Sequence, residues 1–164
     1  MVIIRPMHAE DWHAVSTIYA QGIAGRNATF ETTVPDWQTW DDKHLQVGRF
    51  VAELEGRVVG WVALGAVSHR AVYRGVVEDT IYIADEVQGQ GVGSALIQAL
   101  ITITEASGIW SIIAVTFVEN EASIALHRKF GFRMVGYRER IAQLDGVWRN
   151  TVLMERRSSV VGCD

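Results

Sequence analysis

Two stretches of the chain hold side chains able to do chemistry at informative spacings. The first is Gln88-Gly89-Gln90-Gly91-Val92-Gly93-Ser94, which follows a β-rich run and opens an apolar-periodic helix. Glycines this closely spaced let a main chain approach an anion, and free N–H groups at a helix N-terminus favour phosphate. A glycine turn that only redirects the chain has the same composition. The second is Glu78-Asp79, two acids inside the otherwise apolar segment 76–84. A carboxylate there could accept a substrate proton, or could simply pair with Arg74 or Arg138. Strand alternation sends the two acids to opposite faces, and the period does not say which face borders a pocket. Farther on, His127 carries an imidazole whose ordinary pKa of about 6.5 suits proton transfer near neutrality; a packed helix histidine reads the same way.

Several chemistries fail on spacing. A dinucleotide fold needs Gly-x-Gly-x-x-Gly and an acid about 20 residues on. Here Ser94 stands at the third glycine position and the region near Trp110 has no acid. A nucleoside-triphosphate loop needs a lysine that the turn lacks. His8, His13, His44 and His69 have no zinc-ligand spacing, so no metal is expected. No Gly-x-Ser-x-Gly elbow suggests a covalent serine intermediate.

The elements that must position these groups are legible in outline. Residues 2–7 read as a first strand, and Trp12, Val15, Ile18 and Tyr19 fall at helical spacing behind Glu10 and Asp11. Asn27 to Pro35 reads as a loop, and Asp36 caps a helix expected to reach Val47. Strands 49–54 and 57–66 flank the turn Glu55-Gly56, residues 68–75 form a polar loop, and 76–84 is a buried strand. The helix after the glycine turn should turn Val92, Leu96, Ala99, Leu100 and Ile103 inward. A strand over 109–117, a helix over 120–130 with Ile124, Leu126 and Phe130 inward, and a hairpin of 132–144 with 147–154 about Asp145-Gly146 complete the chain. Hairpins early and late with a β-α-β unit between predict a mixed α/β sheet of about seven strands with about four helices.

Bulk properties agree with a globular fold. The 164 residues are 49% apolar and 21% charged, enough for one hydrophobic core. We expect one domain over residues 1–156 and a polar tail over 157–164. The longest apolar stretch, 58–67, is far below the 18 or so residues that span a bilayer. A net charge of −4 gives no basic footprint, so neither nucleic acid nor membrane is an expected partner. The single cysteine, Cys163, excludes an internal disulfide, and no secretory leader precedes the first strand, so a soluble cytoplasmic protein is expected.

Gln88-x-x-Gly91-x-Gly93 after Tyr82-Ile83-Ala84 resembles the acetyl-coenzyme A pyrophosphate loop of the GNAT superfamily of N-acetyltransferases, Arg/Gln-x-x-Gly-x-Gly/Ala. Asn120 to Phe132, an Asn opening a helix that ends in Gly131-Phe132, is similar to the superfamily's second signature. Phe30-Glu31, Arg70-x-x-Tyr73, the strand Val77-Glu78-Asp79-Thr80-Ile81-Tyr82-Ile83, His127 and Gly146-x-Trp148 together look like the phosphinothricin and methionine sulfoximine acetyltransferase branch. One position departs: members that act on phosphinothricin often carry a second basic residue two positions before the arginine, where this chain has Ser68.

The resemblance implies a GNAT fold, acetyl-CoA as acetyl donor, a small amine as acceptor and a homodimer. It selects Glu78 as base and makes His127 a proton donor to the thiolate or a substrate contact. It assigns Ile81, Tyr82 and Ile83 to the pantetheine arm and the thioester carbonyl. The pyrophosphate falls to Gln88, Gly89, Gln90, Gly91, Val92, Gly93 and Ser94, with Asn120 and Ser123 near the pantetheine or adenine end. It gives the acceptor to Phe30, Arg70, Tyr73, Asp79, Thr80 and Trp148 together with Glu78. The implied activity is N-acetylation of the α-amine of a small amino acid or analogue. A protein or peptide acetyltransferase of the same fold and a non-catalytic CoA-binding module are the alternatives.

Overall fold

The computed structural model describes residues 1–164. The chain runs β1 (Val2–Pro6), α1 (Trp12–Ala24), α2 (Trp37–Lys43), β2 (Phe50–Leu54), β3 (Arg57–Ala66) and β4 (Val76–Ile83). It continues α3 (Val92–Ala106), β5 (Ser111–Phe117), α4 (Glu121–Lys129), β6 (Arg133–Leu144) and β7 (Val147–Arg157). The seven strands form one sheet in the order β1-β2-β3-β4-β5-β7-β6. Every neighbouring pair is antiparallel except β4 and β5, which the α3 crossover makes parallel. This is the mixed α/β architecture expected from the alternation of periods. No helix is long and apolar enough to cross a membrane.

Local chemistry explains the turns. Glu55-Gly56 and Asp145-Gly146 both have positive φ at each residue (52° and 76°; 50° and 79°), the backbone that tight hairpins need. Asp36 caps α2 by accepting from the Thr39 N–H at 2.8 Å, and Asn120 caps α4 by accepting from the Ser123 N–H at 3.2 Å.

The sheet is packed on both faces. On one, α3 lays Leu96, Ile97 and Leu100 over Val62 and Leu64, all without solvent exposure. On the other, α1 and α2 bring Tyr19 and Trp40 onto Trp61, whose ring lies 5.7 and 5.5 Å from theirs. Most of the tryptophans thus serve packing.

Three expectations need correction. α2 stops at Lys43, where the His44 backbone turns extended, instead of reaching Val47. The buried stripe of α3 is rotated: Ile97, Ile101 and Thr104 face inward in place of Ala99 and Ile103, and the Thr104 hydroxyl tolerates burial by donating to the Leu100 and Ile101 carbonyls. On α4, Ile124, Leu126 and Phe130 pack partly buried against the core as expected, and His127 is fully buried beside them. β7 extends to Arg157, and the segment after it folds back, with the Arg157 guanidinium donating to the Ser158, Val161 and Gly162 carbonyls.

Candidate active site

β4 pairs with β5 only through Val76↔Ser111, Val77↔Ile112 and Glu78↔Ile113. Its ladder to β3 continues as far as Gly60↔Ile83. Beyond Glu78, therefore, β4 keeps one neighbour and loses the other, and the sheet opens. Main-chain alternation fixes what faces the gap. The Gly75 carbonyl accepts from Trp110 and Ser111 on the β5 side, and the Ala84 N–H donates to Val59 on the β3 side. Odd-numbered residues of β4 thus aim their N–H and C=O groups at β5. Ile81 and Ile83 present theirs to the opening, whereas those of Tyr82 go to β3, which removes Tyr82 as a main-chain donor there.

A cleft of about 1110 Å³ passes through this opening. Residues 78–83 and 114–117 form its two edges, the glycine turn and α4 border one end, and α1, α2 and Phe30 border the other. At the turn, Gly91 is the N-cap of α3 at φ 85°, and Gly89 has φ 76°. A Cβ at either would meet no protein atom within 4 Å, so within the protein the positive φ is what calls for glycine at both. Gly93 differs: a Cβ there would lie 3.0 Å from Leu126 Cδ2, so its role is close packing of α3 on α4. No protein acceptor takes the N–H groups of Gly89, Gly91, Val92, Gly93 or Ser94, while Ala95 N–H already returns to the Gly91 carbonyl. Five free donors on the positive end of a 15-residue helix suit a pyrophosphate.

Strand alternation also separates the two acids. Tyr82 stacks on Trp61 with centroids 5.0 Å apart, on the α1 and α2 face, and Glu78 shares that parity. Asp79 lies on the opposite face, where its Oδ2 is 2.9 Å from His127 Nε2. Both acids border the cleft because the cleft crosses the sheet. Burial pushes the Glu78 pKa above the ordinary carboxylate value and the Asp79 charge adds to the rise, against the pull of Lys43 and Arg138. Burial pulls the His127 pKa down, but the Asp79 charge and hydrogen bond, with the Ser123 carbonyl, more than offset it, and the net direction is upward. Burial, then the neighbouring Tyr19, push Tyr82 well up, which keeps it a neutral phenol.

The opening gathers most of the residues expected from sequence. Glu78 through Ile83, Gln88, Gly89, Gly91 through Ser94, Asn120, Ser123, His127 and Phe30 all border the cleft. Phe30 packs edge-on against Phe117 at 4.7 Å. Gln90 stands outside the lining and donates its side-chain amide to the Glu86 carbonyl at 3.2 Å. Gln88 donates to Asp85 at 3.1 Å, bracing the entry to the turn. Arg70, Tyr73 and Trp148 are exposed and, against expectation, do not border the cleft. Arg70 lies over the Tyr73 ring at 5.5 Å, and Trp148 sits at the β6–β7 hairpin.

Sequence reasoning missed two cations. Lys129 on α4 donates to Ser94 Oγ at 3.0 Å, which puts an ammonium at the glycine turn. Lys43, in the last turn of α2, reaches the Glu78 side of the cleft. The signal for Lys129 was its place two residues past the buried His127 in a helix that follows the turn; pairing it with Ser94 required the fold.

Comparison with known proteins decides the family. Residues 10–132 match the model of the acetyltransferase (GNAT) family. The chain belongs to the GNAT acetyltransferases. Within that family it is 30% identical over 158 residues to the L-methionine sulfoximine/L-methionine sulfone acetyltransferase of Pseudomonas aeruginosa, covering 93% of this chain and 92% of the relative. It is 34% identical over 160 residues to the phosphinothricin N-acetyltransferase of Alcaligenes faecalis, covering 93% and 81%. Its fold superposes with a TM-score of 0.90 on a GNAT phosphinothricin acetyltransferase from Sinorhizobium meliloti in complex with acetyl-CoA, at 31% identity over 99% of this chain and 91% of that one. This GNAT chain is an acetyl-CoA-dependent N-acetyltransferase.

Proposed function

We propose that the acceptor is the α-amine of a small amino acid or analogue of the methionine sulfone, methionine sulfoximine or phosphinothricin kind, acetylated directly in a ternary complex. The observation that carries this reading is the opening past Glu78, with a half-buried base on one face and free helix N–H groups at the other end. The N–H groups of the turn hold the pyrophosphate, and Lys129 adds charge there. The main-chain groups of Ile81 and Ile83 bond the pantetheine arm as an added strand and donate to the thioester oxygen as negative charge develops on it. The α-amine of a free amino acid, its pKa raised by the ionised carboxylate above the value of about 8 for a chain terminus, is an ammonium at neutral pH, so Glu78 takes one of its protons before attack. The new N–C bond forms as the C–S bond breaks, and the second nitrogen proton leaves for the thiolate through solvent. Burial supports Glu78 in this role because a raised carboxyl pKa makes it a stronger base than an exposed carboxylate.

Arg70, Tyr73 and Trp148 fit this reading as acceptor contacts supplied across a homodimer. All three are exposed, and beside them Val72, Val67 and Val147 leave apolar surface uncovered. Ser68, in place of a second basic residue, favours singly charged acceptors. The cytoplasm is the compartment consistent with acetyl-CoA as donor. The test is thiol release from acetyl-CoA with single amino acids, methionine sulfone, methionine sulfoximine, phosphinothricin, polyamines and short peptides. Turnover confined to the amino acids and analogues is expected; turnover only with peptides would overturn the reading in favour of a protein acetyltransferase, and none with any amine would favour a CoA-binding module.

A further inference from the structure

His127 is only 2% exposed, yet both of its ring nitrogens have oxygen partners. Nδ1 lies 2.7 Å from the Ser123 carbonyl one turn back on α4, closer than the 3.3 Å to the Ser123 hydroxyl, and Nε2 lies 2.9 Å from Asp79 Oδ2. A carbonyl oxygen can only accept, so Nδ1 carries hydrogen, and a carboxylate at Nε2 calls for hydrogen there too. The doubly protonated ring satisfies both contacts. Its place in the last turn of α4 adds the negative end of the helix dipole. No ring nitrogen is left to face the opening. On the other side of the strand, Glu78 meets Lys43 from α2, Arg138 from β6 and, through β4 itself, the charge of Asp79. Asp79 is 8% exposed and has no other side-chain partner. On α4, Arg128 and Lys129 are exposed, and Lys129 is engaged with Ser94, so His127 alone answers the Asp79 charge.

We propose that His127 is a positioning residue: held as imidazolium between Ser123 and Asp79, it fixes and neutralises the carboxylate next to the base and delivers no proton to the departing thiolate. The pair also ties α4 to β4 immediately after the last β4–β5 rung, where no strand hydrogen bond does so. A buried carboxylate left without its cation is costly, whereas removing both partners leaves neither charge stranded. The inference rests on reading Glu78 as the base.

The experiment is the pH profile of kcat/KM for wild type, His127→Gln, Asp79→Asn, the double variant and Glu78→Gln. His127→Gln leaves Asp79 uncompensated, so its acid limb should move to higher pH and activity near neutrality should fall. Asp79→Asn should move the limb the other way. The double variant should recover to within about threefold of wild type, with the limb near its original place. A double variant as impaired as His127→Gln, with no movement of the acid limb in any variant, would overturn the proposal and make His127 the proton donor. Nitrogen-15 spectra of wild type supply a readout independent of folding in the variants. Both His127 nitrogens should still be protonated above the ordinary imidazole pKa, and a neutral ring at neutral pH would refute the pairing. Wild-type activity in Glu78→Gln would sink the base assignment alone and leave the imidazolium measurement standing.

Discussion

Glu78 and Ile113 form the last rung of the β4–β5 ladder, and the strands part immediately beyond them. The residue with the raised carboxyl pKa is thus also the residue at the mouth of the opening. One position thus joins a partly buried carboxyl to the opening between the strands, which is the access that the base proposed for this reaction requires.

Glu78→Gln keeps the shape of the side chain and removes its basicity. Steady-state kinetics near neutral pH should show kcat/KM down by roughly 10²–10⁴, with the deficit shrinking as pH rises and the amine deprotonates unaided. Wild-type activity at neutral pH would make the carboxylate structural.

The same substitution has a signed effect on stability. A carboxyl whose folded pKa is raised penalises the folded state once ionised, and the penalty is absent below the unfolded value and complete above the folded one. Thermal melts should therefore show Glu78→Gln more stable than wild type at neutral pH, with the advantage fading as pH falls through the ordinary carboxylate range. The His127 contribution has the opposite sign. Its raised pKa makes the pairing fully stabilising below the ordinary imidazole value and lost as pH climbs through the folded value. The melting difference between wild type and His127→Gln should shrink in that upper window.

Gly91→Val places a branched side chain at φ 85°, where the conformation itself costs about 1–2 kcal/mol. The variant should fold with a lowered Tm and a raised KM for acetyl-CoA, because the turn cannot keep its N–H groups converged. An unchanged cofactor KM in the folded variant would remove the turn from the cofactor site.

Lys129→Met should raise the KM for acetyl-CoA severalfold while leaving the acceptor KM alone, and the effect should weaken with added salt. An equal loss for both substrates would mean that Lys129 only braces Ser94.

Much of the fold was legible in the sequence, for identifiable reasons. The turns at Glu55-Gly56 and Asp145-Gly146 carry the residues that positive φ demands, and the period switch after residue 91 marks α3. The faces of Glu78 and Asp79 were not, because alternation separates the two acids without saying which helices cover which side. The parting of β4 from β5 is a tertiary event: nothing in the run 78–83 differs from an ordinary paired strand. His127 was visible as a candidate, but not its enclosure between Ser123 and Asp79, which depends on α4 docking against β4. Arg70 and Tyr73 were placed by their loop just before the Glu78 strand and, with Trp148, by resemblance. Yet all three are exposed and away from the cleft, because nearness in sequence to β4 does not set where the loop packs.

Arg70→Ala tests the acceptor contact directly. A charge-assisted hydrogen bond to a carboxylate contributes about 1.5–3 kcal/mol, so the acceptor KM should rise about ten- to a hundredfold with the acetyl-CoA KM nearly unchanged. If the contact crosses a dimer, mixing Arg70→Ala with Glu78→Gln protomers should restore part of the lost activity. Additive, unrestored losses would confine Arg70 to its own chain or to the surface.

The most direct measurement of the central claim is product identification by mass spectrometry from acetyl-CoA with methionine sulfone, methionine sulfoximine and phosphinothricin, for wild type and Glu78→Gln in parallel. The account predicts N-acetylated methionine analogues from wild type, formed with higher kcat/KM than acetylphosphinothricin, and a small fraction of that rate from Glu78→Gln near neutral pH. Phosphinothricin favoured at least tenfold over the methionine analogues would contradict the preference assigned to Ser68. Acetylated product at undiminished rate from Glu78→Gln would contradict the base at the last rung.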